Sequence, residues 1–155
     1  MRTIGKIFLL ITLFALVSCG DSSKNNIILS QTFDATGWEK FSPVYSDVEV
    51  TRPVTYDLSL KVAFSENYSN RDFDVVFTVF DASDMPMRAK AYSFRLKDND
   101  GNWKSEKKDG VYEFDFPINK SLSITDSGKY RFQIDSRMPI TPLLGIVKLE
   151  LINNQ

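Results

Sequence analysis

The chain has 155 residues with a net charge of −1, and its acidic and basic residues alternate along the sequence. This balance excludes the strongly basic face that nucleic-acid binding requires, so no nucleic-acid partner is expected. The sequence contains no His and a single Cys, which excludes catalytic triads built on His and leaves no set of Cys and His ligands for a transition metal.

The first predicted element is a secretion signal over residues 1–18. Arg2 and Lys6 give it a positive start, and the run Ile7–Val17 follows without a charged residue. This run is shorter than the roughly 20 residues that a membrane-spanning helix needs, and its length suits the apolar region of a signal peptide. Residues 1–18 are therefore expected to be cleaved off and to take no part in the fold.

The end of this signal, Leu16–Cys19, resembles the lipobox of bacterial lipoproteins, where the Cys thiol receives a diacylglycerol. Cys19 is the only Cys in the chain and directly follows the apolar run. This position favours lipidation over a free thiol or an ordinary small residue near a conventional cleavage site. Several acyl chains such as palmitate, at ~0.8 kcal/mol per buried CH₂, would hold the protein on a membrane permanently.

The residues after Cys19 divide into a tether and one folded domain. Gly20–Asn26 contains no apolar side chain, so residues 19–26 are predicted to be a lipidated tether. Residues 27–155 suit a single domain. Because no Cys follows Cys19, no disulfide can stabilise this domain and its stability must come from packing.

Alternation of apolar and polar residues is the dominant pattern of this domain. In Tyr56–Phe64 every second residue is apolar, so the apolar side chains share one face, as they do in a strand whose other face is solvated. Similar segments occur at Tyr92–Leu96, Tyr112–Phe116, Tyr130–Ile134 and Gly145–Ile152, with weaker ones at Ile28–Phe33, Val48–Val50 and Leu122–Ile124. Phe73–Phe80 is apolar on both faces, which predicts a central strand that is covered on each side.

Short strands separated by turn residues predict an all-β fold, an antiparallel β-sandwich of immunoglobulin-like or jelly-roll-like type. We expect the following side chains to be buried: Leu58, Leu60, Val62, Phe77, Val79, Phe94, Phe114, Phe132, Leu149 and Leu151. Asp126 and Tyr130 stand in a D-x-G-x-Y segment like the tyrosine corner of immunoglobulin domains, where the Tyr hydroxyl bonds to upstream backbone. A simple Ser-Gly turn before an ordinary strand is the alternative.

Carboxylates are the chemistry that remains for a catalytic site. The pairs Asp72/Asp74, Asp98/Asp100 and Glu113/Asp115 are each two residues apart, a spacing that on a strand gives a solvated face more often than a catalytic pair. Asp98–Asn102 has part of the pattern of a calcium loop, but a hairpin turn explains it better. We therefore expect no enzyme activity, no catalytic residue, no cofactor and no metal site.

Trp103 is the candidate contact residue. It follows the turn at Gly101 and precedes a charged segment, so it is expected on a loop, where an exposed Trp often contacts a glycan or a protein. The alternative is that its ring covers the end of the sandwich. Trp38, near the first strand, is expected in the core.

The arrangement as a whole resembles the gliding-motility lipoproteins of the GldH type found in Bacteroidetes. The residues that carry the resemblance are the lipobox at Cys19, Trp38, Tyr56–Leu58, Glu66–Tyr68, Asp100–Trp103, Gly128–Ile134 followed by Met138, and Gly145–Val147. Two features depart from the family pattern, Lys104–Glu106 in place of a Gly-rich stretch and Pro139 in place of a basic residue.

The resemblance implies a non-enzymatic component of an envelope machine that is linked to type IX secretion and surface gliding, with other envelope proteins as partners. Gly20 after Cys19 lacks the Asp that retains some lipoproteins in the inner membrane, which favours the outer membrane. Asp21 alone is a weak acidic signal for surface export, so the domain is expected to face the periplasm. A glycan-binding surface lipoprotein is the alternative function, and a small-molecule ligand is not expected.

Overall fold

The computed structural model describes residues 26–155. This part of the chain forms nine strands and contains no helix that is long and apolar enough to cross a membrane. The strands are β1 (Ile27–Thr32), β2 (Val44–Val50), β3 (Val54–Phe64), β4 (Asp72–Phe80), β5 (Pro86–Arg95), β6 (Lys107–Lys108), β7 (Val111–Ile124), β8 (Gly128–Ser136) and β9 (Ile146–Asn153).

The strands form two sheets that pack as a sandwich. One sheet has the order β1-β9-β3-β7-β6 and the other has the order β2-β8-β4-β5. Every neighbouring pair is antiparallel. The prediction of an all-β antiparallel sandwich is therefore confirmed.

The core lies between the two sheets and is built from alternating positions along each strand. In β3, Leu58, Leu60 and Phe64 are fully buried, whereas Lys61 on the opposite face is exposed. β8 follows the same rule, because Phe132 and Ile134 are fully buried and Arg131 is not. One face of each sheet thus supplies the hydrophobic stabilisation, and the other face is solvated.

The outer face of β4 is less buried than the sequence predicts. It is an internal strand between β8 and β5, and its inner face is buried at Phe73, Val75, Phe77 and Val79. On the outer face, however, Val76 and Phe80 are only partly buried. The apolar sequence therefore indicates the internal position of β4 correctly, but no further layer covers its second face.

Two predicted core residues, Phe94 and Phe114, are also only partly buried. They lie where β5 and β7 border one open side of the sandwich. Phe94 stacks on Phe116 with ring centroids 4.0 Å apart, and Phe116 stacks on Phe114 at 5.5 Å. Tyr92 continues the row, 5.8 Å from Phe94. We call these four residues the aromatic seam. Their rings pack on one another across the gap between the sheets, so one edge of each ring stays in solvent.

The two ends of the sandwich differ in the length of their connections. One end, which we call the anchor end, carries the short connections 51–53, 81–85 and 125–127. The opposite end, the loop end, carries the connections 33–43, 65–71, 96–106 and 137–145. β1 begins between the two ends, because Ile27 pairs with Ile152 and Ile152 pairs with Ser59 in the middle of β3, and it runs from there to the loop end.

Candidate partner-binding surface

Cys19, the predicted lipidation residue, lies outside the described residues, as do the signal segment 1–18 and nearly all of the tether 19–26. The side chains described below all belong to the folded domain over residues 27–155.

Trp103 lies on a hairpin at the loop end, and its ring is partly buried with both faces covered. Tyr112 stacks on one face with a centroid separation of 4.2 Å and an interplanar angle of 8°. The Lys97 ammonium lies over the Trp103 ring, 4.4 Å from its centroid. Because Tyr112 occupies one face of the ring, Lys97 covers the opposite face. The same Lys97 Nζ donates to the carbonyl of Tyr68 at 2.7 Å. A sugar therefore finds no free face of Trp103 on which to stack.

The hairpin before Trp103 is held by the Asp98 carboxylate. Its Oδ1 accepts the backbone N–H groups of Asp100 and Asn102, each at 2.9 Å, and its Oδ2 accepts Asn102 Nδ2 at 3.2 Å. The bonds from Asn102 are the largest cause that lowers the pKa of Asp98 below its ordinary value of 3.8. The carboxylate thus braces a turn, and within residues 26–155 no group of three or more metal-ligating side chains converges on a common point.

Asp126 and Tyr130 lie at the anchor end, where the chain passes from β7 in one sheet to β8 in the other. Tyr130 is buried, and its hydroxyl donates to the backbone carbonyl of Asp126 at 3.0 Å. The partner is thus the main chain of Asp126 and not its carboxylate. This contact ties the corner between the sheets and lies far from Trp103.

The other carboxylates are also used locally. Asp72 pairs with Arg95, its cross-strand neighbour on β5. Glu113 and Asp115 lie on the outer face of the five-stranded sheet beside Lys61, Lys148 and Glu150, where they border a shallow depression of about 450 Å³. Exposed pairs of this kind contribute about 0–1 kcal/mol each. They give a solvated face of mixed charge.

The loop end is held together by Tyr68 and Met138, whose roles do not follow from the sequence motifs that contain them. Tyr68 is fully buried, and its hydroxyl donates to the carbonyl of Asp72 at 2.7 Å. The sulfur of Met138 accepts the N–H of Asp74 at 3.2 Å. Burial first, and then the charges of Asp74 and Asp72, raise the pKa of Tyr68 well above its ordinary value. The hydroxyl therefore stays a hydrogen-bond donor at neutral pH.

Gly145 shows how closely these loops pack. Its φ is +82°, and a Cβ built on it would lie 2.2 Å from the backbone nitrogen of Tyr68. On the far side, Trp38 and Leu143 exchange two backbone hydrogen bonds, of 3.1 and 2.9 Å. Trp38 is buried and its Nε1 donates to the carbonyl of Ser42 at 2.7 Å. Loops 33–43, 65–71 and 137–145 thus form one packed unit.

This unit exposes three large apolar side chains, which we call the apolar patch: Phe41, Ile140 and Leu144. They are 89%, 51% and 49% exposed. Phe41 has a φ of 63°, a left-handed conformation that is uncommon for a bulky residue and that costs of order 1–2 kcal/mol. The loops of the patch are joined by the bond from the Lys40 N–H to Thr141 Oγ1 at 2.9 Å. The sequence conceals the patch because isolated apolar residues in loops carry no periodic signal.

Comparison with known proteins identifies one family. The sequence model of the GldH lipoprotein family matches residues 28–151, which is most of the chain and nearly all of the sandwich. A search of curated proteins finds no match.

Proposed function

Because the chain belongs to the GldH lipoprotein family, a family of gliding-motility-associated lipoproteins, we propose that it is a non-enzymatic, protein-binding component of an envelope machine. In this proposal Cys19 carries the lipid, the sandwich is a rigid spacer, and the apolar patch contacts another envelope protein. The observation that carries the proposal is the exposed apolar patch on the packed loops of the domain.

The apolar patch has the character of a protein-binding surface. Its three side chains, Phe41, Ile140 and Leu144, are 89%, 51% and 49% exposed, although they lie on loops that pack closely on one another. A large exposed apolar patch on a folded domain fits a protein partner.

The residue chemistry supports a function without catalysis. The sequence has no His, and its only Cys is Cys19. The carboxylates of Asp72 and Asp98 support the fold through an ion pair and a turn. Because both faces of the Trp103 ring are covered, we do not propose the glycan-binding alternative.

We propose the outer membrane as the location, with the domain facing the periplasm. Gly20 after Cys19 supports this choice, and the single Asp21 is a weaker acidic signal than surface export would require. The partners in this location are other envelope proteins of the motility or secretion machine.

Site-specific photo-crosslinking in the native organism tests the proposal. A photoreactive residue at Phe41 should crosslink to a distinct envelope protein, whereas the same residue at Met85, which is 62% exposed at the anchor end, should not. The triple change Phe41→Ser, Ile140→Ser and Leu144→Ser should abolish function while the protein stays folded and membrane-bound. Full function of this triple variant, or identical crosslinks from both positions, would refute the proposal.

A further inference from the structure

β5 (Pro86–Arg95) is an edge strand whose outer side is open. It is the last strand of the four-stranded sheet and pairs with β4 alone. Most of the residues of β5 are exposed to solvent. A strand of 10 residues with one unpaired side is long enough to template a further strand, and natural proteins usually protect such an edge.

The register identifies which backbone groups are free. Leu96 N–H donates to the carbonyl of Arg71, and Arg95 is the partner of Asp72. Because hydrogen-bonded and non-bonded pairs alternate in an antiparallel ladder, even-numbered residues of β5 point their N–H and C=O groups toward β4. The odd-numbered residues point these groups outward, and Ala89, Ala91 and Ser93 are the ones in the middle of the strand. The small side chains at these positions leave the free edge accessible.

The inner face of β5 divides into an aromatic half and a cationic half. Tyr92 and Phe94 belong to the aromatic seam, and Tyr92 also hydrogen-bonds the carbonyl of Ile118 in the other sheet. Arg88 and Lys90 lie on the same face, opposite Val79 and Phe77 of β4. Within the described residues, neither cation makes an ion pair. β5 itself contains no Asp or Glu.

These charges determine which strand can be added. Two copies of β5 paired antiparallel about Ala91 would place Arg88 opposite Phe94 and Lys90 opposite Tyr92, so four cations would share one face with no carboxylate to neutralise them, and their repulsion penalises self-pairing. A strand that places carboxylates opposite Arg88 and Lys90 would remove this penalty and gain two ion pairs. Its next two inward residues would cover the exposed ring edges of Tyr92 and Phe94.

We propose that the β5 edge binds an extended acidic segment of another protein by antiparallel strand addition. The segment has two inward apolar residues followed, at alternate positions, by two inward carboxylates. Backbone bonds to Ala89, Ala91 and Ser93 provide affinity, and the carboxylates select the partner. This surface is separate from the apolar patch, so its test does not depend on the function proposed above.

A model peptide tests the proposal on the mature protein in detergent. The probe is the capped peptide Thr-Val-Thr-Phe-Thr-Glu-Thr-Glu-Thr, and the control peptide has Lys in place of both Glu residues. We expect the acidic peptide to bind saturably, with slowed hydrogen exchange at Ala89, Ala91 and Ser93, and at least tenfold more tightly than the control. Absence of saturable binding by the acidic peptide, or equal binding of both peptides, would overturn the proposal.

Two variants separate strand addition from general charge attraction. Arg88→Glu with Lys90→Glu should weaken the acidic peptide at least tenfold and favour the Lys peptide, whereas the matched reversal of Lys61→Glu with Lys104→Glu should change neither. Ala91→Pro removes one outward N–H and should weaken binding of the acidic peptide. Unchanged affinity in folded Ala91→Pro protein would show that the contact is electrostatic only and would refute strand pairing.

Discussion

Gly145 and Gly101 show how much a single methyl group can matter at different places on one surface. Both have left-handed backbones, with φ of +82° and +86°. A Cβ at position 101 would meet nothing within 4 Å, but at position 145 it would overlap the backbone of Tyr68 and Asn67. The backbone strain of a substitution is therefore similar at the two sites, and only the steric overlap differs.

Gly145→Ala should accordingly destabilise the protein far more than Gly101→Ala. Gly101→Ala should cost about 1–2 kcal/mol, the strain of a left-handed non-Gly residue. Gly145→Ala adds a displacement of the loop that holds Tyr68, and we expect its total cost to exceed about 4 kcal/mol. Chemical denaturation of both variants measures the difference, and equal midpoints would mean that the loop end is not rigidly packed.

At the scale of single residues the sequence predicted the motifs but not their surroundings. Trp103 is predicted on a loop and lies in loop 96–106, yet the covering of its ring depends on Tyr112 of β7 and on Lys97, which loop 65–71 holds through the Tyr68 carbonyl. The sequence does not indicate that Phe41 is exposed, because neither its backbone conformation nor its exposure follows from the neighbouring residues. Non-local packing decides both cases.

At the scale of elements, alternation locates every long strand but misjudges the extent of three of them: β2, of which only Val48–Val50 is predicted, β7 and β5. β7 runs without a break from Val111 to Ile124, so the predicted strand at Leu122–Ile124 is its second half and not a separate element. Pro117 hides this continuity, since it lies beside a register shift where a missing N–H is tolerated. β5 begins at Pro86, before the alternation is visible, because edge residues need not be apolar.

The same element scale predicts unequal costs for two Phe truncations. Phe132 is fully buried in β8, whereas Phe94 is partly buried in the aromatic seam. Phe132→Ala should cost about 3–5 kcal/mol, and Phe94→Ala should cost less because part of its ring is already in solvent. Urea denaturation monitored by far-ultraviolet circular dichroism provides both values. A Phe94→Ala cost equal to that of Phe132→Ala would place the seam in the core.

At the scale of the whole molecule, we expect the predicted anchor and the folded domain to act separately. Cys19 precedes the domain, whose match to the family begins at residue 28. Changes at Cys19 should therefore alter location without altering stability. Composition predicted this division, because the polar segment Gly20–Asn26 has nothing to bury.

Cys19→Ala should abolish palmitate labelling and release the protein from the membrane fraction. Its free energy of unfolding should stay within about 0.5 kcal/mol of the wild-type value. Ser22→Ala, a change in the same segment, is the control and should label normally. Labelling of Cys19→Ala protein that still sediments with membranes would overturn lipidation at this residue.

The pairing of β1 with β9 alone has a mechanical consequence. A pull between the membrane anchor and the apolar patch enters at Ile27 and leaves through loop 33–43, so it runs along the axis of β1. The ladder from Ile27↔Ile152 to Thr32↔Lys148 is then loaded in shear, with its hydrogen bonds sharing the tension instead of opening one after another. The two bonds between Trp38 and Leu143 clamp the far end of this path. The fold thus places a strand that is loaded in shear between the proposed point of attachment and the proposed point of contact.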